Sequence, residues 1–307
     1  MNVVLAGEES AGLQVLRALE KSKHRLVAVL ATPVTPGDAR VSVWKMACDL
    51  GFETWPAELV RDAKLAERLR SERVEIFLNV HSRYIVNNEV LSAPLLGAYN
   101  LHPGPLPRYA GLNAVSWAIL NGEHKHGVTV HKMEREIDAG PIAYQSFFAI
   151  EDDDTALTLS FKCIRLGVPL MLQLLEMAST EPSKIPAIKQ DPALRLYFGA
   201  GEPEEGQISW ACAASKIIAL VRACDYFPFH SPFGHARTSV RGQDFAIIKA
   251  QLTGLLCDIA PGTIGDSTDS GVYIACRDQW ILASKLKVQG KYVAAQNFLK
   301  TGDICGA

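Results

Sequence analysis

The residues best suited to chemistry lie in the stretch 98-AYNLHPGPLPRYAG-111, where Asn100 and His102 follow an apolar segment. In an extended strand, residues two apart face the same side, so both side chains can project into one site. An asparagine amide can donate to a developing oxyanion, and histidine exchanges protons near neutral pH. The prolines that follow fix successive φ angles, which lowers the entropy cost of holding the loop still. Taken alone, His102 is equally compatible with a turn or capping role.

A second loop, 134-EREIDAGPI-142, supplies a carboxylate before an Ala-Gly-Pro turn. A carboxylate beside a histidine orients the imidazole and stabilises its protonated form. We therefore predict that Asp138 works with His102, and that Asn100, His102 and Asp138 form the catalytic set. The other histidines of this half have no motif support and are expected to be solvated or structural: His81, His124, His126 and His131.

The elements that must position these residues alternate short apolar runs with amphipathic segments. Continuous apolar strands with intervening helices favour an α/β domain with a parallel sheet, and loops at the carboxyl ends of such strands hold ligands. The predicted strands are 2–6, 25–32, 74–80, 97–102 and 127–133. The predicted helices are 10–22, 42–51 and 58–72.

The second half of the chain changes character. A long helix is predicted over 155–179, bent or split at Pro169, because proline removes a backbone donor. The prolines after this helix indicate a linker between domains. Beyond the linker, short strands separated by glycine and aspartate turns indicate a small antiparallel barrel. The predicted domains are 1–180, the linker 181–205 and the barrel 206–307.

Composition narrows the class of protein. The 307 residues carry a formal charge of −2, which does not favour nucleic acid as a partner. The 7 cysteines are scattered without a CxxC pair, so neither disulfides nor a metal site are expected. The N-terminus lacks the features of a signal peptide, and no apolar run reaches the length of a membrane span. We expect a cytoplasmic protein with no membrane contact.

The two loops together resemble the core signature of the 10-formyltetrahydrofolate-dependent formyltransferases, which act on glycinamide ribonucleotide, methionyl-tRNA or amino sugars. The matching segments are NLHPGPLPRYAG and GVTVHKMEREIDAGPI. The stretches 203-PEEGQISW-210 and 290-GKYVAAQNFLKTGD-303 are similar to the start and end of that family's C-terminal domain. The resemblance implies a Rossmann-like catalytic domain followed by a small OB-like β-barrel.

The resemblance also implies formyl transfer from 10-formyltetrahydrofolate to an amine, with no metal. Asn100 would stabilise the oxyanion, His102 would serve as a base or an electrostatic aid, and Asp138 would orient His102. By family position, the folate would be bound by Arg83, Tyr84, Ile85, Glu134, Ile137 and Gly140. The acceptor would be bound by Pro105, Leu106, Arg108 and Tyr109.

The acceptor follows only by exclusion. The methionyl-tRNA enzymes carry a longer basic loop after the second strand, whereas 32–46 holds only Arg40 and Lys45, and Ala110 stands where an arginine is usual. Basic residues supply phosphate contacts, so their absence counts against tRNA. We expect a small-molecule amine, either an amino sugar nucleotide or an amino acid or hydroxylamine, and a monomer or homodimer. The alternatives left open are the tRNA enzyme, a formyltetrahydrofolate hydrolase and a non-catalytic binding module.

Overall fold

The computed structural model describes residues 1–35, 41–200 and 206–306, and the chain forms two compact units. The first unit comprises Met1–Gly111, His126–Phe148 and Phe161–Tyr197. The second comprises Leu112–Lys125, Ala149–Ser160 and Phe198–Ala307.

The strands up to residue 200 are β1 (Asn2–Gly7), β2 (Arg25–Ala31), β3 (Thr54–Pro56), β4 (Ile76–Val80), β5 (Gly97–His102), β6 (Ala110–Gly111), β7 (Lys125–Lys132), β8 (Ile142–Ala149) and β9 (Tyr197–Phe198). The helices are α1 (Glu9–Glu20), α2 (Val43–Asp49), α3 (Leu65–Ser71), α4 (Asn88–Leu91), α5 (Ala114–Leu120), α6 (Ala156–Thr180) and α7 (Ala214–Cys224).

The sheet of the first unit has the strand order β3-β2-β1-β4-β5-β7-β8. The pairs from β3 to β5 are parallel, and β7 is antiparallel to β5. This confirms the predicted parallel-rich α/β domain. Because β1, β4 and β5 run the same way, the loops after Gly7, Val80 and His102 emerge at one edge of the sheet, where ligand-binding loops of such sheets lie.

Helix α1 lies unusually close to this sheet. A Cβ atom on Gly12 would come within 3.0 Å of the backbone carbon of Gly7. Only glycine permits this approach of helix to strand without displacing one of them. The turn between Gly7 and Gly12 is therefore held close to the carboxyl edge of β1.

Two predicted helices differ from the structure. The single helix expected over 58–72 is a 3-10 helix over Ala57–Arg61 and then α3. Asp62 separates them, because its extended backbone stops the first turn and its carboxylate accepts the Lys64 N–H.

The long helix α6 continues through Pro169, so the predicted split is wrong. Residues on both sides of the proline are buried, among them Leu159, Met171 and Leu174. Burial of several large side chains, at about 1.5–3 kcal/mol each, outweighs the roughly 3 kcal/mol cost of an interior proline. By length and composition alone α6 could cross a membrane, a test that the core helix of a globular protein also passes.

The second unit contains an antiparallel sheet formed by β10 (Ala236–Val240), β11 (Gln243–Leu256), β12 (Ile264–Thr268), β13 (Gly271–Ala275), β14 (Gln279–Val288) and β15 (Lys291–Ala294). The order is β10-β11-β14-β13-β12, and β15 also pairs with β14. Cys305 forms an antiparallel β-bridge with Val240 at the end of β10, and Ile304 forms one with Thr263 beside β12. The C-terminal segment thus connects the two outer strands, in agreement with the predicted small barrel.

The stretch after α6 contacts the first unit by backbone and side chains. Ile188 exchanges two backbone hydrogen bonds with Ile142 at the start of β8, at 2.8 and 2.9 Å. Farther along, the Ala110 N–H donates to the Leu196 carbonyl oxygen at 3.0 Å. The domain boundaries at residues 180 and 206 stay a prediction, and most of the segment between α6 and residue 197 lies with the first unit.

Candidate active site

A row of polar residues crosses three adjacent strands of this sheet. Asn79 on β4 is in register with Asn100 on β5, and Asn100 is in register with His131 on β7. Residues directly opposite each other on neighbouring strands have side chains close enough to interact. The sheet itself therefore gathers two amides and an imidazole at one place.

The amide of Asn100 has a defined orientation. Asn79 Nδ2 donates to Asn100 Oδ1 at 2.9 Å, so Oδ1 is the acceptor side. Asn100 Nδ2 then faces His131 Nε2 at 3.2 Å and Asp138 Oδ1 at 3.5 Å. An amide nitrogen carries two hydrogens. With two acceptors in reach, both hydrogens face the part of the site where His131 and Asp138 meet.

His102 is nearly fully buried at the end of β5. Its Nε2 contacts the Tyr109 carbonyl oxygen, which can only accept, so Nε2 carries the hydrogen. Its Nδ1 lies 3.5 Å from Asp138 Oδ2. Burial lowers the pKa of His102 below its ordinary value, although Asp138 and the Tyr109 carbonyl act in the opposite direction. In neutral His102, Nδ1 therefore has a free lone pair and lies next to the Asp138 carboxylate.

Asp138 adopts the left-handed backbone region at φ +56°, which aspartate tolerates better than most residues. Its Oδ2 accepts the Gly111 N–H at 2.9 Å, and its Oδ1 lies 3.3 Å from His131 Nε2. Burial alone would raise the pKa of the Asp138 carboxyl. His102, His131 and the Gly111 N–H together hold that pKa well below its usual range. Asp138 is therefore a carboxylate at neutral pH.

The site thus combines an amide donor, a proton acceptor and a fixed negative charge. A proton that arrives at His102 Nδ1 produces an imidazolium ion directly beside the Asp138 carboxylate. In a buried site this charge pair is worth more than in water. A group of this kind can accept a proton from a nucleophile while Asn100 stabilises negative charge on a neighbouring oxygen.

Sequence reasoning missed two members of this cluster, Asn79 and His131. The His131 Nδ1 faces the Lys132 carbonyl oxygen at 2.9 Å, so its hydrogen lies there and Nε2 points to Asn100 and Asp138. The usable signal was Asn79 within the apolar run of β4, whereas β7 carries several polar residues and His131 does not stand out among them. Without the register, that signal does not show that the three residues meet.

The other histidines of this half have separate surroundings. His126 is buried, its Nε2 faces the Pro103 carbonyl oxygen at 3.0 Å, and burial lowers its pKa to about 4. His81 lies 3.3 Å from Glu9 Oε2, and both residues have positive φ. His126 thus stabilises the proline loop through its contact with Pro103. His81, through Glu9, connects the loop after β4 with the start of α1.

The residues expected to bind folate lie on two loops of the first unit. Ile85 is 73% exposed, Arg83 is exposed, and the Tyr84 ring packs beside the core. In the other loop, Glu134 and Ile137 have exposed side chains, whereas Gly140 is buried. The exposed members are accessible to a ligand, and Gly140 can contribute only through its backbone.

Glu134 also lines a cavity of about 480 Å³ with Met133, Lys132 and part of the 88–97 segment. Cavities that hold small molecules commonly have volumes of about 300–1,000 Å³. Gly97, which lines the same cavity, is the first residue of β5, the strand that carries Asn100 and His102.

The residues expected to bind the acceptor divide by burial. Leu106 and Tyr109 have buried side chains, and the Tyr109 carbonyl oxygen is already engaged by His102. Pro105 is half-buried, and Arg108 is exposed. Of this loop, the side chains of Pro105 and Arg108 are therefore the ones that an incoming molecule can reach.

Gly140 offers a direct test of the Asp138 loop. A Cβ atom at this position would overlap the Lys132 carbonyl oxygen. We expect Gly140→Ala to displace the loop and to lower activity about a hundredfold, because an error of 1 Å in a catalytic group has that effect. Gly199→Ala is the matched control, since open space surrounds Gly199. Equal activity in both variants, measured as initial rates, would contradict a fixed loop.

The fold and the cluster define a class: an α/β protein with an amide–imidazole–carboxylate site at the carboxyl edge of a parallel sheet. Among the described residues, no group of three or more His, Cys, Asp or Glu side chains could hold a metal ion. The family described as formyl transferase matches residues 1–175, and the formyl transferase C-terminal domain matches residues 202–302. The chain belongs to the formyl transferase family, which confirms the resemblance found in its motifs.

Solved structures share the fold. An N-formyltransferase from Helicobacter canadensis, in complex with folinic acid and dTDP-3-aminofucose, is 21% identical with a TM-score of 0.67, over 92% of this chain and 98% of that one. A sugar N-formyltransferase from Shewanella sp. is 19% identical with a TM-score of 0.58, over 75% and 91%. HypX from Aquifex aeolicus, in complex with tetrahydrofolic acid, is 19% identical with a TM-score of 0.67, over 96% of this chain and 46% of that one.

Proposed function

We propose that this protein transfers the formyl group of 10-formyltetrahydrofolate to the amine of a small molecule, most simply an amino sugar nucleotide. The observation that carries the proposal is the cluster of Asn100, His102 and Asp138, in which Asn79 turns the Asn100 amide nitrogen into the site and His102 lies beside the Asp138 carboxylate. The family match and the folate and amino-sugar ligands of the Helicobacter canadensis enzyme support it. An amino acid or a hydroxylamine is the second acceptor class.

The residues present fit a folate co-substrate. The folate supplies an activated one-carbon unit at the oxidation level of formate. Asn100 would direct an amide hydrogen toward the oxygen that gains negative charge during acyl transfer. His102 Nδ1 accepts the proton lost by the amine, and the Asp138 carboxylate stabilises the resulting imidazolium. The proton held on His102 is then available to the leaving nitrogen, so the histidine returns to its neutral form.

The binding residues are part of the same proposal. The loop after β4 and the loop after β7 would hold the folate, and the cavity beside Gly97 lies next to the second of these. The proposed folate-binding residues are Arg83, Tyr84, Ile85, Glu134, Ile137 and Gly140. The proposed acceptor-binding residues are Pro105, Leu106, Arg108 and Tyr109, of which Pro105 and Arg108 present side chains that an acceptor can reach. We further propose a cytoplasmic location, and two domains, 1–180 and 206–307, joined by residues 181–205.

The acceptor is identified by a donor-by-acceptor screen. The protein is incubated with 10-formyltetrahydrofolate and, in separate reactions, sugar nucleotides bearing an amine, amino acids, hydroxylamines and charged initiator tRNA. Tetrahydrofolate release is followed together with product mass. We expect formylated product with an amino sugar nucleotide, and product formation at a strongly reduced rate for Asp138→Asn.

The same screen distinguishes the alternatives. If charged tRNA is formylated faster than any small amine, tRNA is the acceptor and the proposed small-molecule acceptor is wrong. Formate release at an equal rate with and without an amine would identify a hydrolase. Folate binding without any product in the presence of every acceptor would leave a binding module and contradict the proposed catalysis.

A further inference from the structure

We propose that residues 185–196, here named the strap, position Asp138 and His102 for proton transfer. The strap follows α6 and lies in the part of the chain that sequence patterns predicted to be a linker. This inference rests on the proposed function for its kinetic consequences, but its structural part can be measured without any substrate.

Gln190 is the first contact between the strap and the Asp138 loop. Its Nε2 donates to the Asp138 carbonyl oxygen at 2.9 Å and to the Gly140 carbonyl oxygen at 2.7 Å. One side-chain amide thus uses both of its hydrogens on two carbonyl groups that flank the loop. Asp138 has positive φ, a conformation that persists where the surroundings fix it. Gln190 supplies such a constraint.

Arg195 is the second contact. Its Nη2 donates to the Ile137 carbonyl oxygen at 2.7 Å, and its Nε lies 3.5 Å from Glu136 Oε1. The Arg195 side chain is only 17% exposed, whereas that of Glu136 is 70% exposed, so the bond to the Ile137 carbonyl oxygen matters more than the ion pair. Together with Gln190, the strap satisfies the carbonyl groups of residues 137, 138 and 140 by side-chain donors.

The strap also holds the proline loop through its backbone. The Ala110 N–H donates to the Leu196 carbonyl oxygen at 3.0 Å, and the Leu196 N–H donates to the Pro107 carbonyl oxygen at 3.3 Å. Ala110 lies between Tyr109, whose carbonyl accepts from His102, and Gly111, whose N–H donates to Asp138. A shift of Ala110 would therefore disturb both members of the His102–Asp138 pair.

These contacts have a common consequence. His102 and Asp138 lie 3.5 Å apart, a separation that a small movement of either loop would change. The strap bonds to the loop that carries Asp138 and to the loop that fixes the other nitrogen of His102. Gln190 and Arg195 touch neither the imidazole nor the carboxylate, so they are positioning residues.

The first test replaces Gln190 by methionine, which keeps the length of the side chain and removes both donors. We expect kcat at saturating folate to fall about 10- to 100-fold, because the carboxylate is misplaced by a fraction of an ångström to 1 Å. KM for the folate should rise as well, since the same loop carries Ile137 and Gly140. Lys189→Met is the matched control, since Lys189 is the exposed neighbour on the same segment. It is expected to retain wild-type kcat.

The second test needs no activity. Histidine-selective ¹³C labelling gives the imidazole resonances of the folded protein at constant pH. In Gln190→Met we expect the resonances of His102 and His131 to move while that of His24, which precedes β2, stays in place. Arg195→Met is expected to move the same two resonances, and it replaces Gln190→Met in this test if Gln190→Met does not fold. Unchanged His102 and His131 resonances in the folded variants would overturn the proposal.

The two measurements separate this inference from the proposed function. If the wild-type protein forms no formylated product, the proposed function fails and the resonance shifts still decide the role of the strap. If the wild-type protein is active and Gln190→Met keeps kcat within twofold, the strap does not position the pair. A fall in kcat with unmoved resonances would likewise contradict the proposal.

Discussion

Asp138→Asn is expected to lower kcat for formyl transfer by about 10²- to 10⁴-fold, the range that a positioned acid–base group contributes. Asparagine keeps the shape of the side chain but loses its charge. Protonated His102 would then have no carboxylate beside it in a buried site. The NH2 group of the new amide would also face either the Gly111 N–H, a donor that now bonds to Asp138 Oδ2, or His131 Nε2, which lies beside Asp138 Oδ1.

The pH dependence of Asp138→Asn has a definite sign. The pKa of His102 is already below its ordinary value because of burial, and the Asp138 charge partly restores it. Without that charge the pKa of His102 falls further, so the acid limb of the residual rate profile should move to lower pH. An acid limb that stays in place would show that another group titrates there.

Stability gives an independent check on the same variant. The pKa of Asp138 is depressed in the folded protein, so its ionisation stabilises the fold above the ordinary carboxyl pKa of about 3.9. This contribution is lost as the pH falls through the depressed value. The free energy of unfolding of Asp138→Asn should therefore approach that of the wild type as the pH is lowered below about 4. Asp49→Asn, at an exposed position, is the control and should show neither change.

The sequence was sufficient for those parts of the fold and site that depend on local pattern. The spacing of Asn100 and His102 predicted a shared side of a strand, and β5 has the predicted bounds, Gly97–His102. Apolar strands with intervening helices predicted the parallel sheet. Both inferences use the period of extended chain and the burial of parallel strands, which a single segment reveals.

What the sequence could not supply is register between distant segments. Asn79 and His131 join Asn100 because three strands align them, and no local pattern carries that alignment. The strap has the composition of a linker, yet Gln190 and Arg195 bond to carbonyl groups about 50 residues earlier. Helix α6 continues through Pro169 because tertiary burial outweighs a local cost. In each case a long-range contact decided the structure.

The network also indicates why asparagine occupies position 100. Asn79 donates to Asn100 Oδ1, which turns the Asn100 amide nitrogen toward His131 and Asp138 and into the site. A side chain without both an acceptor and a donor could not join this row and still offer a hydrogen to a new oxygen. If Asn100 is the oxyanion donor, kcat should fall most when Asn100 is replaced and less when Asn79, which orients it, is replaced.

Asn100→Ala is expected to lower kcat about 10²- to 10³-fold, which corresponds to the 3–4 kcal/mol that one oxyanion donor contributes. KM for the folate should change little, because the missing hydrogen bond is strongest when the oxygen is charged. Steady-state kinetics with a saturating acceptor measure both constants. Asn297→Ala, at an exposed position of the second unit, is the control and should keep wild-type kcat.

Asn79→Ala provides the intermediate case. The Asn100 amide would remain in the site but lose the donor that fixes its orientation. We expect kcat to fall about tenfold, the equivalent of one hydrogen bond of roughly 1.4 kcal/mol. In the double variant the loss should not exceed that of Asn100→Ala, because Asn79 acts through Asn100. Losses that multiply would show that Asn79 acts on the reaction independently, and an Asn100→Ala enzyme within twofold of wild type would remove the amide from the mechanism.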